Sequence, residues 1–375
     1  MIPTISTIPI QQLASGDRLS IQVYKFIGSQ PGKKAYLQAN LHGAEIVGNA
    51  IIHQLIEFLI TLDDTQLAGE VWLVPVCNPL STNQRTHFFS TGRYNIYDGK
   101  DWNRIFWDYE KEGEDLESFA KSQINLDLID IRNNYLERIQ DSFKKQFEKN
   151  HLSSGLPLNE RYRYQLQSLC LDADYVIDIH SSSNQAIDYL YGFESREESA
   201  KAFLLDYGIL MNEYDGDAFD EAFMKPWLAL EKQFEKLGKE IKFDIDSWTL
   251  EFGSGMQMNP ESVKKGVLGI KNYLAQKELL KIPDFPGAHT AAHKINFTIK
   301  SQITKYYAPA GGMIQSRVQL GSSIKAGQLL YQLLSFNKNG ELPLLTDVYA
   351  EEDGVIFDVS NNHAVNESEY VLSMM

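Results

Sequence analysis

Cysteine is nearly absent from this sequence: Cys77 and Cys170 are the only two among 375 residues. Two thiols cannot form a disulfide framework and are too few for a structural thiolate zinc site, so they read as buried side chains in a reducing compartment. No stretch approaches the roughly 20 apolar residues needed to cross a bilayer. The opening segment MIPTISTIPIQQLASGD has neither a basic region nor a continuous apolar core of the secretory kind. A cytoplasmic location is expected. Clusters of lysine or arginine are missing as well, since 35 Lys and Arg face 50 Asp and Glu, a formal net charge of -15. That balance repels polynucleotides and anionic membrane surfaces. Neither a nucleic acid nor a membrane is expected as a partner, whereas a homo-oligomer stays open.

What is present is a globular composition, 43% hydrophobic, long enough for one large domain or a large one and a small one. Residues 1–28 alternate short apolar groups with turn signals and predict an antiparallel hairpin at a sheet edge. Ala35 to Leu41 then reads as a buried strand, and after Glu45 the positions Val47, Ile51, Leu55, Phe58 and Leu62 recur at helical spacing. His42 and Glu45 occupy that junction, where a strand end and a first helical turn bring two side chains to one point. His53, among Ile and Leu on the same helix, reads as a core or flank residue. A second apolar run, Glu70 to Cys77, ends in Asn78-Pro79 and opens a long polar loop with Arg85, Arg93, Asp101, Asn103 and Arg104. Long polar loops at strand ends are where binding groups collect.

Residues 105–172 turn to Glu, Lys, Asp and Gln with scattered apolar positions, the pattern of surface helices with a second role as a lid over the site. Asp174 to His180 repeats the earlier pattern: a β-branched run that ends in histidine. Phe243 to Leu250 is another such run and closes with Glu251 before Phe-Gly-Ser-Gly. Ligands gather at the carboxyl ends of parallel strands, so these three termini are expected to converge. Lys264 to Lys281 predicts the last helix of the large part. Pro283, Pro286 and Gly287 punctuate a linker in which His289 and His293 read as exposed. Beyond it lie short strands and an internal repeat, in which Tyr307-Ala308, Gly312 and Ile314 recur as Tyr349-Ala350, Gly354 and Ile356.

Two histidines and one carboxylate with an open fourth position form a hydrolytic zinc site. Such a site needs a base for the attacking water, which suits a desolvated Glu251, and a cation for the developing oxyanion, which suits Arg93. Asn103 with Arg104 would grip a substrate carboxylate.

Taken in order, His42-Gly-Ala-Glu45, Gly92-Arg93-Tyr94 with Asp101-Trp102-Asn103-Arg104, Asp178-Ile-His180-Ser and Thr249-Leu-Glu251-Phe-Gly resemble the succinylglutamate desuccinylase/aspartoacylase family. That family is a branch of the zinc carboxypeptidase fold. The resemblance implies one Zn2+ per chain on His42, Glu45 and His180, a catalytic Glu251 and an oxyanion-stabilising Arg93. It further implies substrate contacts from Asn103 and Arg104, with Asp101 orienting His42. It covers residues 35–104, 174–184 and 245–255; residues 105–172 read as an insertion, and Trp102 stands where the family usually has Leu. APAGGMI, LGSSIKAGQLL and EEDGVI resemble a lipoyl-like β domain. The absence of Met-Lys-Met at its turn argues against attachment of biotin or lipoate. Some members use a late tyrosine, for which Tyr306 and Tyr307 are the candidates.

The expectation is an α/β domain over residues 1–295, with a mixed twisted sheet flanked by helices in the zinc carboxypeptidase manner and a helical insert near 105–172. A small all-β, lipoyl-like domain would follow over 296–375. The expected reaction is zinc-dependent hydrolysis of the amide bond of a small N-acyl amino acid or related compound bearing a carboxylate. A zinc carboxypeptidase or peptidoglycan-peptide amidase is the nearest rival. Two histidines and a carboxylate also hold ferrous iron in oxygenases, and a non-catalytic binding protein is the third reading, against which Glu251 and Arg93 count.

Overall fold

Ala35–Leu37 and Tyr175–Ile177 are apolar without alternation, the pattern of strands covered on both faces. In the computed structural model their strands lie side by side in parallel, Ala35 opposite Tyr175 and Ala39 opposite Ile179. The structure describes residues 1–375 apart from Phe88, Phe89, Glu114, Ser153, Asp284, Ala288 and His289, and for Ala291 the backbone alone. The expected exposure of His289 therefore lies outside the described residues.

The strands, in chain order, are β1 (Thr4–Gln12), β2 (Arg18–Ile27), β3 (Gln30–Ala39), β4 (Ala68–Val74), β5 (Tyr175–Ser182), β6 (Gln185–Ala186), β7 (Asp188–Phe193), β8 (Tyr207–Met211), β9 (Asp246–Ser254) and β10 (Asn296–Ile299). All but β6 join one sheet in the order β1-β2-β4-β3-β5-β9-β7-β8-β10. Its centre, β4-β3-β5-β9, is parallel, while β7 runs antiparallel to β9 and the β1–β2 hairpin closes one edge. The sheet is mixed, as expected. Residues 296–299, which follow the expected division at 295/296, pair with β8 in this sheet.

The period of two sorts the central strands between two layers. Ala35, Leu37, Ala39, Ile177 and Ile179 pack with α1 (Val47–Ile60) and the helix Pro260–Gln276. That last helix starts four residues before the expected Lys264, because the Asn259 side chain accepts from Glu261 N and Pro260 occupies its first turn. Tyr36 and Val176 face the other way, onto Trp102, Tyr162, Leu166 and the start of the helix Phe219–Lys236. Asp178 and His180 share the parity of Val176 and so point into that second layer.

Residues 105–172 supply the helices Leu116–Ser122, Leu128–Phe147 and Leu158–Gln167. They are fastened by an aromatic core in which Tyr135 meets Trp227 edge-on at 5.3 Å and Phe143 meets Trp107 at 5.3 Å. Cys77 and Cys170 are buried free thiols, and His53 is an exposed flank residue of α1. His293 is half-buried rather than exposed, its Nε2 2.8 Å from Leu205 O, because the linker folds back onto the chain before β8. Among the described residues no helix is long and apolar enough to cross a membrane.

The tail folds as two antiparallel sheets. One contains Thr304–Tyr307, Tyr370–Met374, Gly354–Val359 and Ser323–Ile324; the other contains Leu344–Tyr349, Leu329–Ser335, Gly312–Gln315 and Ala364–Val365. The repeated residues Ala308 and Ala350, and Ile314 and Ile356, are all buried in the core between them. Strand β6, from the large part, pairs with Gly354–Val359. The tail is thereby anchored within a few residues of His180.

Close approach of α1 to the sheet depends on Gly48. A Cβ there would stand 2.6 Å from the Ala39 Cβ and 2.9 Å from an Ile179 methyl. Helix propensity favours Ala over Gly by at most about 1 kcal/mol, whereas overpacking costs about 1–3 kcal/mol. Gly48→Ala should therefore lower the urea unfolding midpoint, with a net loss of up to about 2 kcal/mol; a raised midpoint would show that α1 moves back without cost.

Candidate metal centre and its cavity

Strand β3 ends at Asn40, whose φ of 67° places it in the left-handed region and turns the chain sharply. Asparagine tolerates that conformation better than most residues. Its buried side chain also supports the turn: Nδ2 shares its hydrogens among His42 O at 3.0 Å, Gly43 O at 3.1 Å and Glu45 O at 3.3 Å. Oδ1 accepts from Thr82 Oγ1 at 2.6 Å. From the polar loop, Asn78 Nδ2 donates to Leu41 O at 2.9 Å. The His42–Glu45 segment is thus fixed by side chains from both ends.

His42, Glu45 and His180 are all buried, and one ligand atom from each lies within 4.8 Å of the others. His42 Nδ1 is 2.9 Å from Glu45 Oε1, and His180 Nδ1 is 2.7 Å from Glu45 Oε2. The outer nitrogens are backed by carboxylates: His42 Nε2 lies 2.9 Å from Asp101 Oδ1, and His180 Nε2 lies 2.8 Å from Asp178 Oδ2. This fits a metal on two counts. A donor set of two imidazoles and one glutamate carboxylate is that of hydrolytic zinc sites, and a carboxylate behind each imidazole fixes its tautomer and raises its basicity.

The electrostatics agree with the geometry. Burial opposes charge on both imidazoles, yet Glu45 and Asp101 raise the pKa of His42, while Asp178 and Glu45 raise that of His180 well above its ordinary value. Burial likewise opposes ionisation of Glu45, but the His42 and His180 imidazoles outweigh it and hold the carboxyl far below the usual range. So many buried carboxylates need positive charge at their centre, which protons or a divalent cation supply.

The three candidate ligands, Glu251, Arg93, Asn103 and Arg104 line one cavity of about 400 Å³. Glu251 sits on β9 opposite His180 on β5. Its Oε2 is a buried atom without a hydrogen-bond partner among the described residues, and burial, with Glu45 adding and His180 opposing, raises its carboxyl to about 7. Arg93 Nε is 2.9 Å from Asp101 Oδ2, and its Nη1 is 3.8 Å from Glu45 Oε1. Asn103 is buried and its Oδ1 accepts from Phe219 N at 2.8 Å. Arg104 is exposed at the cavity wall, with Nη1 2.6 Å from Asn103 O. Asp101 stands behind His42 and does not line the cavity.

Several side chains of the site carry little or no signal in the sequence. Asp178 shares one strand face with His180 by the period of two, a signal present in Asp178-Ile-His180. Ser183 Oγ donates to Glu45 Oε1 at 3.2 Å. Asp220 and Glu221, in the first turn of Phe219–Lys236, line the cavity together with Lys300 and Lys305. Burial raises the Asp220 carboxyl, with Thr249 Oγ1 donating to it at 2.9 Å. Neither Tyr306 nor Tyr307 lines the cavity: Tyr306 OH is taken up by Glu351 N, and Tyr307 is exposed. The tyrosines at the wall are Tyr189 and Tyr191 on β7. Among the described residues none from 105–172 lines the cavity. Trp102 turns away from the cavity and meets Tyr162 edge-on at 5.3 Å, which fits it to the inserted helices rather than to substrate.

The family model described as succinylglutamate desuccinylase/aspartoacylase catalytic domain matches residues 31–276. No curated protein matches the chain. Among solved structures, a protein of Shewanella amazonensis SB2B described as belonging to that family is 28% identical, with a TM-score of 0.87 over 99% of this chain and 98% of its own. One from Shewanella frigidimarina NCIMB 400 under the same description is 25% identical, with a TM-score of 0.89 over 100% and 97%. A Rhodobacter sphaeroides succinylglutamate desuccinylase/aspartoacylase, 16% identical with a TM-score of 0.65 over 100% and 94%, shares the fold.

The two contributions of Asn40 separate by mutation. Asn40→Ala should destabilise by about 2–4 kcal/mol, combining the left-handed penalty with buried groups left unpaired. Asn40→Gly, which tolerates the backbone, should lose about 1–3 kcal/mol. Equal losses in denaturant unfolding would show that backbone conformation contributes nothing.

Proposed function

The chain belongs to the succinylglutamate desuccinylase/aspartoacylase family, and from that premise we propose that it hydrolyses the amide bond of a small N-acyl amino acid or related compound bearing a carboxylate. The observation that carries this reading is the buried His42, Glu45 and His180 cluster with the unpartnered Glu251 oxygen beside it in one cavity. His42, Glu45 and His180 would hold a zinc ion, which when bound supplies Lewis acidity to a water and to the scissile carbonyl.

Glu251 takes one proton from the attacking water as the new C–O bond forms. Its raised carboxyl then returns that proton to the nitrogen as the C–N bond breaks, leaving a carboxylic acid and an amine. A carboxyl near 7 suits both directions of transfer, because neither protonation state is strongly preferred at neutral pH. Arg93 offers its guanidinium to the developing oxyanion, held in place by Asp101. Asn103 and Arg104 would receive the substrate carboxylate, with Lys300 and Lys305 adding positive charge at the wall. A cavity of about 400 Å³ is the size of a small-molecule site.

Elemental analysis is expected to find about one zinc per chain, lost in His180→Ala. Glu251→Gln should keep the metal and lose about 10²–10⁴ in kcat. Full activity in that variant would remove the central step, and iron in place of zinc would redirect the assignment to oxygen chemistry. Arg93→Ala should cost about 10²–10³ in kcat, measured on a panel of N-acyl amino acids and C-terminal peptides; turnover of peptides alone would overturn the substrate class.

A further inference from the structure

The tail approaches the candidate centre through one buried carboxylate. Strand Gly354–Val359 pairs with β6 so that Asp358 lies opposite Ala186, and Ile187 N donates to Phe357 O at 3.0 Å. Asp358 is 7% exposed, and its oxygens are met by two hydroxyls and an amide. Ser182 Oγ donates to Oδ2, Asn184 Nδ2 donates to Oδ1 at 3.2 Å, and Tyr370 OH also donates to Oδ1. Burial raises this carboxyl, and the three donors oppose that.

A carboxylate is a costly choice for packing a strand against a loop, since an apolar side chain would do so without desolvation. What the carboxylate adds is direction. Ser182 Oγ accepts from Asn184 N at 3.0 Å while committing its proton to Asp358. The turn at Ser182–Asn184 is also gripped by Asn361 Nδ2 on Ser183 O at 3.2 Å and by Gly255 N on Ser182 O at 2.6 Å. Its middle residue sends the Ser183 hydroxyl to Glu45 Oε1.

We propose that Asp358 is a positioning residue: from the tail it fixes the Ser182–Asn184 turn so that Ser183 orients Glu45 at the candidate metal centre. The metal part of this inference rests on the reading of His42, Glu45 and His180 as ligands. The turn itself is independent of that reading.

Two measurements test it. In hydrogen exchange on the full chain, Asp358→Asn should speed exchange at the amides of Asn184 and Gly255 by about 10-fold or more, leaving the helix Pro260–Gln276 unchanged. In chelator competition for zinc, Asp358→Asn and Ser183→Ala should each weaken binding by about 10-fold, and the double variant no further than either alone, since both act through one hydrogen bond. Unchanged exchange at both amides, or zinc losses that multiply in the double variant, would overturn the proposal. Should Asp358→Asn fail to fold, Tyr370→Phe removes one donor from the same carboxylate and must move the same amides in the same direction. A wild type that binds zinc yet cleaves no amide would remove the function and leave this inference; unchanged exchange would do the reverse.

Discussion

A single carboxylate shared by two imidazoles, one just past the turn that follows β3 and one on β5, is the interaction around which this molecule is arranged. Glu45 is almost fully buried, and each of its oxygens meets one histidine. Taking that charge from water is costly unless opposite charge and hydrogen bonds compensate. Asp101 and Asp178 behind the imidazoles deepen the negative potential instead of relieving it. The centre is therefore stable only with positive charge inside it, and the surrounding backbone must hold the donors at close range against their mutual repulsion.

That backbone is the parallel middle of the sheet. β3, β5 and β9 deliver His42, His180 and Glu251 to one edge because their parallel registers are held by runs buried on both faces. The turn at Asn40 converts a strand end into the His42 and Glu45 pair within five residues, and the polar loop after β4 returns to brace it through Asn78 and Thr82. The backbone that carries His42 and Glu45 is thus held by side-chain bonds to its carbonyls.

The parts of this arrangement that show in the sequence are those where a local pattern breaks. His42, His180 and Glu251 each end an apolar run, and the sheet, the edge hairpin and α1 follow from periodicity. The inserted helices read as a solvated lid because their charges outnumber their aromatics. Tyr135, Phe143 and Trp107 nevertheless find Trp227 and Phe243 far along the chain and form a core of their own. Lys300, Lys305 and Asp358 carry no signal, since each reaches the cavity or its wall from a strand or turn far along the chain from His180. Asp178 lies within a legible motif, but its role depends on which face of β5 meets the second layer, and that is set by long-range packing.

The pairing of Gln185–Ala186 with Gly354–Val359 also sets an order of events during synthesis. The strand-end donors emerge from the ribosome well before the segment that completes their surroundings, and contacts of such large sequence separation form late. A nascent chain can therefore assemble the sheet while the loop after His180 still lacks its partner. The final shape of the cavity would then coincide with the last stage of folding.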